Sequence, residues 1–104
     1  MACAVEAVIR ALAEPRRRRI LTLVAAEELP AGEIAAHFEV SRPAVSQHLR
    51  VLKGAGLVTD EQQGARRLYR IERDGLEALR AWFDSFWDAV LAEFKAAAEG
   101  EEKV

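Results

Sequence analysis

The stretch SRPAVSQHLRVL, Ser41 to Leu52, decides how the rest of the chain is read. Val45, Leu49 and Leu52 recur at the spacing of a buried helical stripe. Ser41 is a good N-cap. Pro43 is tolerated in the first turn, where its missing N–H has no partner inside the helix. Wound on that helix, Pro43, Ser46, Gln47 and Arg50 face away from the stripe. A helix over 42–54 is therefore expected, apolar inside and chemically rich outside, with KGAG as its stop.

Upstream, Val5, Val8, Ile9 and Leu12 share one helical face in a segment that ends near Glu14. A second helix starts at Pro15, with Ile20, Leu21, Leu23 and Val24 as its apolar side, until EELPAG breaks the pattern. AGEIAAHF reads as a third, short helix in which Ile34 and Phe38 lie one turn apart and Ala35 allows close packing. EVS then turns the chain into the Ser41 helix. Downstream, LVTDEQQ and RRLYRIE read as two strands around QQGA, with Gly64 free to take positive φ. A long helix from about 73 to 98 follows, with Leu76, Leu79, Phe83, Phe86, Val90 and Phe94 in a stripe that Trp82 and Trp87 widen. Glu77, Asp84 and Asp88 form its acidic solvent face, and residues 99–104 are expected to fray.

The chain has 104 residues, enough for one domain with a modest core, and small enough that a second copy would help bury apolar surface. Charged residues make up 31% of it and hydrophobic residues 51%, a composition that suits a globular protein and argues against a disordered chain. No apolar run approaches membrane-spanning length, and the N-terminus lacks the order of a secretory signal, so a cytoplasmic protein is expected. The net charge of −2 conceals an uneven distribution. Residues 41–70 carry six Arg or Lys against two Asp or Glu, whereas residues 71–104 carry four against nine. The basic surplus thus lies on the Ser41 helix and the hairpin after it, a pattern that fits a nucleic-acid partner despite the acidic total.

A short helix, a tight turn, a second helix with outward polar side chains and then a basic hairpin make a winged helix-turn-helix pattern, mainly α with a two-stranded wing. ALAEPRRRRILTLV, GEIAAHFEVSRPAVSQHLRVLKGAGLV and GARRLYRIE, in this order and spacing, resemble the ArsR/SmtB family of dimeric bacterial transcriptional repressors over about residues 8–95. A single domain over 1–98 is expected, and the resemblance implies a homodimer joined through its first and last helices, with double-stranded DNA as the partner of the fourth helix. It places Val5 and Ile9 in the dimer seam with Leu79, Trp82, Phe83, Phe86, Trp87, Val90 and Phe94.

Ser46, Gln47 and Arg50 are the candidates for base edges, since Gln pairs with adenine and Arg with the acceptors of guanine. Ser41, Arg42, Pro43 and His48 are placed nearer the phosphates, whose contacts fix register. On the hairpin, Gln63, Gly64, Arg66 and Arg67 form the candidate wing contacts. The family pattern commonly has a basic residue directly after the glycine, where this chain has Ala65. For both surfaces the competing reading is a merely solvated charged face. RRRR, Arg16 to Arg19, is discounted as a clamp because successive helical side chains diverge by about 100°. The resemblance makes Arg17 a structural residue. Glu39 stands where the family often has glycine, and would be strained if its φ were positive.

Cys3, His37 and His48 are the whole stock of soft metal ligands, too few and too dispersed for a specific site, so no metal and no cofactor are expected. No nucleophile with a base and an orienting group is legible, so an enzyme is not expected. Cys3 reads as a small hydrophobe before it reads as a thiol switch. The aromatic cluster reads as core and dimer seam before it reads as an effector pocket. The function expected is a homodimeric repressor reading an imperfect inverted repeat. The alternatives are a winged-helix protein-interaction module, or a repressor released by Cys3 oxidation or by a small apolar ligand.

Overall fold

Five helices and a small sheet follow one another in the computed structural model, which describes residues 2–102 and the side chains of residues 5–100. The Cys3 side chain, and with it the thiol switch, lies outside the described residues. Helix α1 (Ala2–Leu12) buries Val8 and Ala11. Helix α2 (Pro15–Ala26) starts on Pro15 with Glu14 as its N-cap, whose carboxylate accepts from the Arg16 amide at 2.6 Å and the Arg17 amide at 3.2 Å. Burial pushes the Glu14 carboxyl up, but these amide bonds, aided by the Arg16 charge, outweigh it and hold the carboxyl below its ordinary value.

The third helix, α3 (Ala31–Ala35), is shorter than the expected AGEIAAHF. After Ala35 the backbone tightens into three-residue turns, with the His37 N–H donating to Ile34 and that of Phe38 to Ala35. Helix α4 (Arg42–Gly54) has the expected bounds: the Ser41 Oγ accepts from the Ala44 amide, and Val45, Leu49 and Leu52 are buried. No described non-glycine residue has positive φ, so the strain considered for Glu39 does not arise.

Helix α4 ends in a Schellman cap. Gly56 turns at φ +74°, the Leu57 N–H donates to the Leu52 carbonyl and the Gly56 N–H to the Lys53 carbonyl. The N-terminus of the last helix, α5 (Asp74–Glu102), lies directly against that turn, with the Gly75 N–H donating to the Gly56 carbonyl at 3.0 Å. A Cβ on Gly75 would lie 2.8 Å from the Ala55 oxygen, closer than carbon and oxygen approach, so only glycine permits this join.

The sheet has three strands where two were expected. Strand β1 (Leu29–Pro30) pairs antiparallel with β3 (Arg66–Ile71), which pairs on its other edge with β2 (Val58–Gln63). A two-residue strand ending in proline has no alternation to betray it, and only the neighbouring β3 backbone makes it a strand. The hairpin turn is Gly64–Ala65, with Gly64 at φ +63° in the first central position, where a type II′ hairpin wants glycine.

The core gathers Val8, Ile20, Ile34, Leu49, Leu52 and Leu57 at the meeting of α1 to α4 with the sheet. Helix α5 takes almost no part in it. Leu79 packs against the core half-buried, but every described residue from Arg80 onward is exposed, Phe83 by 53% and Trp87 by 52%. The expected buried aromatic stripe is thus not buried within one chain. The radius of gyration, 18.6 Å against about 13 Å for a compact domain of this size, records a helix standing off its body. It also runs through residues 99–102, four of the six expected to fray, because nothing after 98 breaks it: Gly100 alone is tolerated within a helix.

Candidate nucleic-acid interface

Helix α4 presents its outer row to solvent because its inner row is fully engaged. Pro43, Gln47 and Arg50 are exposed, and Ser46 is half-buried at the edge of the row. Arg50 donates to the Gln47 Oε1 at 2.8 Å, so the two candidate base readers hold each other on the exposed face. Arg42 lies at the start of the helix with its guanidinium over Gly32, 3.7 Å from where a Cβ would sit. The Ser41 hydroxyl is used as the cap, which leaves its donor proton free for a second partner.

The four arginines of RRRR each have a partner within the chain. Arg16 pairs with Glu14 at 3.3 Å, and Arg19 stacks over the Phe38 ring at 5.0 Å. Arg17 donates from Nε to the Ala11 carbonyl at 2.7 Å and from Nη2 to the Arg10 carbonyl at 3.1 Å, while Arg18 reaches the Leu12 carbonyl at 2.7 Å. The two cations satisfy the carbonyls orphaned at the end of α1 and oppose its negative pole. Arg17 is therefore structural, as the resemblance implied.

His48 stands apart from its neighbours on α4. It is half-buried, with its Nδ1 3.4 Å from the Arg17 Nη1. Its place three residues after Val45 and four before Leu52, on the edge of the buried stripe, is a signal that a helical wheel contains.

At the far end of α4 the Asp60 carboxylate, only 7% exposed, joins Lys53 at 2.7 Å to Arg67 at 2.8 Å. The Lys53 hydrogen bond, opposed by burial and aided by Arg67, holds its carboxyl below the usual carboxylate range. Asp60 thereby ties the end of α4 to the hairpin. Sequence reading missed this residue, although Arg67 is the diagonal cross-strand neighbour of Asp60 once Asp60 is paired with Tyr69. Arg66 pairs at 3.4 Å with Glu33, and both side chains stay more than half exposed. Gln63 is exposed beside the turn, where Gln62 donates to the Gly64 carbonyl at 2.9 Å. Of the two wing arginines, Arg66 is thus the freer to reach outward.

Among the described residues, no three His, Cys, Asp or Glu side chains gather as a metal site would require, and no helix is long and apolar enough to cross a membrane. Val5 is half-buried, while Ile9 is 39% exposed on α1 and lies on the helix that packs against α5. On α5, Trp82 and Phe86 stack in parallel with centroids 5.2 Å apart, and Val90 and Phe94 extend the apolar stripe along solvent.

Residues 14–60 match the family described as "Bacterial regulatory protein, arsR family". The HTH-type transcriptional regulator Rv2034 of Mycobacterium tuberculosis is 46% identical over 92 residues, covering 88% of this chain and 86% of the relative. The transcriptional repressor SdpR of Bacillus subtilis is 35% identical over 79 residues, covering 76% of this chain and 88% of the relative. Among solved structures, the homodimeric winged helix-turn-helix DNA-binding domain Mb0332 of Mycobacterium bovis superposes with a TM-score of 0.67 at 32% identity, covering 88% of this chain and 85% of that one. Fold, outer row of α4, hairpin and relatives agree: the chain belongs to the ArsR family of bacterial transcriptional regulators and carries its winged helix-turn-helix DNA-binding fold.

Proposed function

We propose that the chain acts in the cytoplasm as a homodimeric repressor, reading an imperfect inverted repeat of double-stranded DNA through α4 in the major groove, with the hairpin as wing. The outer row of α4 carries this reading. Its apolar side is consumed by the core, which leaves Ser46, Gln47 and Arg50 with the right chemistry for base edges, and Ser41 and Arg42 at the helix start for phosphates. Arg66 and Gln63 extend the polar surface onto the wing. The solvent-facing stripe of α5, together with Ile9, supplies an apolar surface that a second copy would cover. Two-fold symmetry would then set the two α4 helices about 34 Å apart, one turn of DNA. The repressor sense rests on the relative named as one.

Selection of bound duplexes from a randomised library tests this reading and is expected to return a two-fold repeat. Within that repeat, Arg50→Ala should weaken binding by about 1 to 3 kcal/mol and relax preference at one position per half-site. An unchanged affinity would remove Arg50 from the reading set. A wild-type protein that enriches no sequence, yet retains a protein partner, would replace the repressor with an interaction module.

A further inference from the structure

The half-buried His48 lies on the edge of the buried stripe of α4, and the group it meets is anchored elsewhere. Arginine has donors and no acceptor, so the Arg17 Nη1 at 3.4 Å requires a lone pair on the His48 Nδ1. A ring that accepts there is the tautomer with its proton on Nε2. The same guanidinium is fixed by the carbonyls of Ala11 and Arg10, the last turn of α1. Arg17 thus bridges the end of α1, the helix that packs against α5, to the helix carrying Gln47 and Arg50.

We propose that Arg17 and His48 are a positioning pair: Arg17, seated on α1, holds the neutral imidazole and so sets how α4 is presented to DNA, and acid, by charging the imidazole, uncouples the two helices. Protonation removes the acceptor and sets two cations in contact. Among the described residues, Arg17 touches His48, and Glu14 at the cap of α2 lies near enough that its attraction for the charged ring partly offsets the Arg17 repulsion. Histidine is the side chain whose charge mild acid changes. The sign separates this role from a phosphate contact. A histidine bound to phosphate is strengthened by acid, whereas one that accepts from Arg17 is weakened.

This inference rests on α4 reading DNA, and the experiment keeps the two apart. Wild-type protein, His48→Gln, which keeps an acceptor that does not titrate, and His48→Ala are compared on the duplex selected by wild type at about pH 7.5 and on a scrambled duplex, there and at about pH 5.5. The ratio of wild-type to His48→Gln affinity for the selected duplex should fall at least about fivefold on acidification, while His48→Gln should bind better than His48→Ala at the higher pH. Nitrogen NMR of the free wild-type protein should show the imidazole protonated on Nε2. A ratio that stays level or rises with acid overturns the pair, as does an Nδ1-protonated ring or a His48→Gln protein no better than His48→Ala. Failure of wild type to select any duplex would instead overturn the DNA reading beneath it.

Discussion

Helices α4 and α5 both carry an apolar stripe, and the chain treats the two in opposite ways. The stripe of α4 is consumed within the chain: Val45 and Leu52 are wholly buried and Leu49 nearly so. The stripe of α5 meets solvent for most of its length, with Phe94 73% exposed. A stripe of small extent, made of Val and Leu, is matched by the core of a single copy. A stripe of stacked Trp and Phe rings on a 29-residue helix, about 43 Å long, exceeds what that core can cover. The difference separates a half of the molecule that is finished alone from a half whose apolar surface stays open in one chain.

Breaking that contrast at the α5 end has the largest expected effect. Phe86→Asp places a carboxylate at the centre of the exposed stripe, where the two-fold would bury it twice. The dimer dissociation constant measured by sedimentation should rise at least about a hundredfold, with the far-ultraviolet helix signal of the body retained. A variant that stays dimeric would show that the seam lies elsewhere.

The join between the two halves comes next. Gly75→Ala drives a methyl group into the Ala55 and Gly56 carbonyls, and should lower unfolding free energy by about 2 to 3 kcal/mol in urea. A loss under half of that would mean α5 re-seats easily on the end of α4.

The smallest effect belongs to the rim of the finished half. Asp60→Asn leaves Lys53 and Arg67 without their shared carboxylate, and should cost about 1 to 2 kcal/mol near neutral pH. Because the folded state lowers the Asp60 carboxyl below its unfolded value near 3.8, its contribution is fully present above that pH and is lost as pH falls through the lower folded value. The stability difference between wild type and Asp60→Asn should therefore close below about pH 4. A difference that persists unchanged into strong acid would show that Asp60 acts through packing and not through charge.

Much of the fold was legible because its elements declare themselves locally. Ser41, Pro43 and the Val45–Leu49–Leu52 spacing mark α4 with its bounds, and Gly64 marks the hairpin turn, since each depends on propensities and periods that act within a few residues. The third strand was not legible, because Leu29 and Pro30 become a strand only through the backbone of β3. The outer row of α4 was legible as chemistry and the place of His48 at the edge of the stripe as periodicity, whereas its meeting with Arg17 and the double bridge of Asp60 were not.

By itself the sequence determined the order of the elements, the N-cap and stripe of α4, the positive φ at Gly64 and the basic surplus of residues 41–70, all of which follow from short-range sterics, periodicity and charge counting. Tertiary structure alone decided which arginines are already taken, that Arg17 joins the end of α1 to His48, that Asp60 draws Lys53 to Arg67, and that the aromatic stripe of α5 remains open in one chain. Those outcomes depend on which atoms from distant parts of the chain arrive within about 3 Å of one another. Periodicity says which way a side chain faces, and only packing says what it meets.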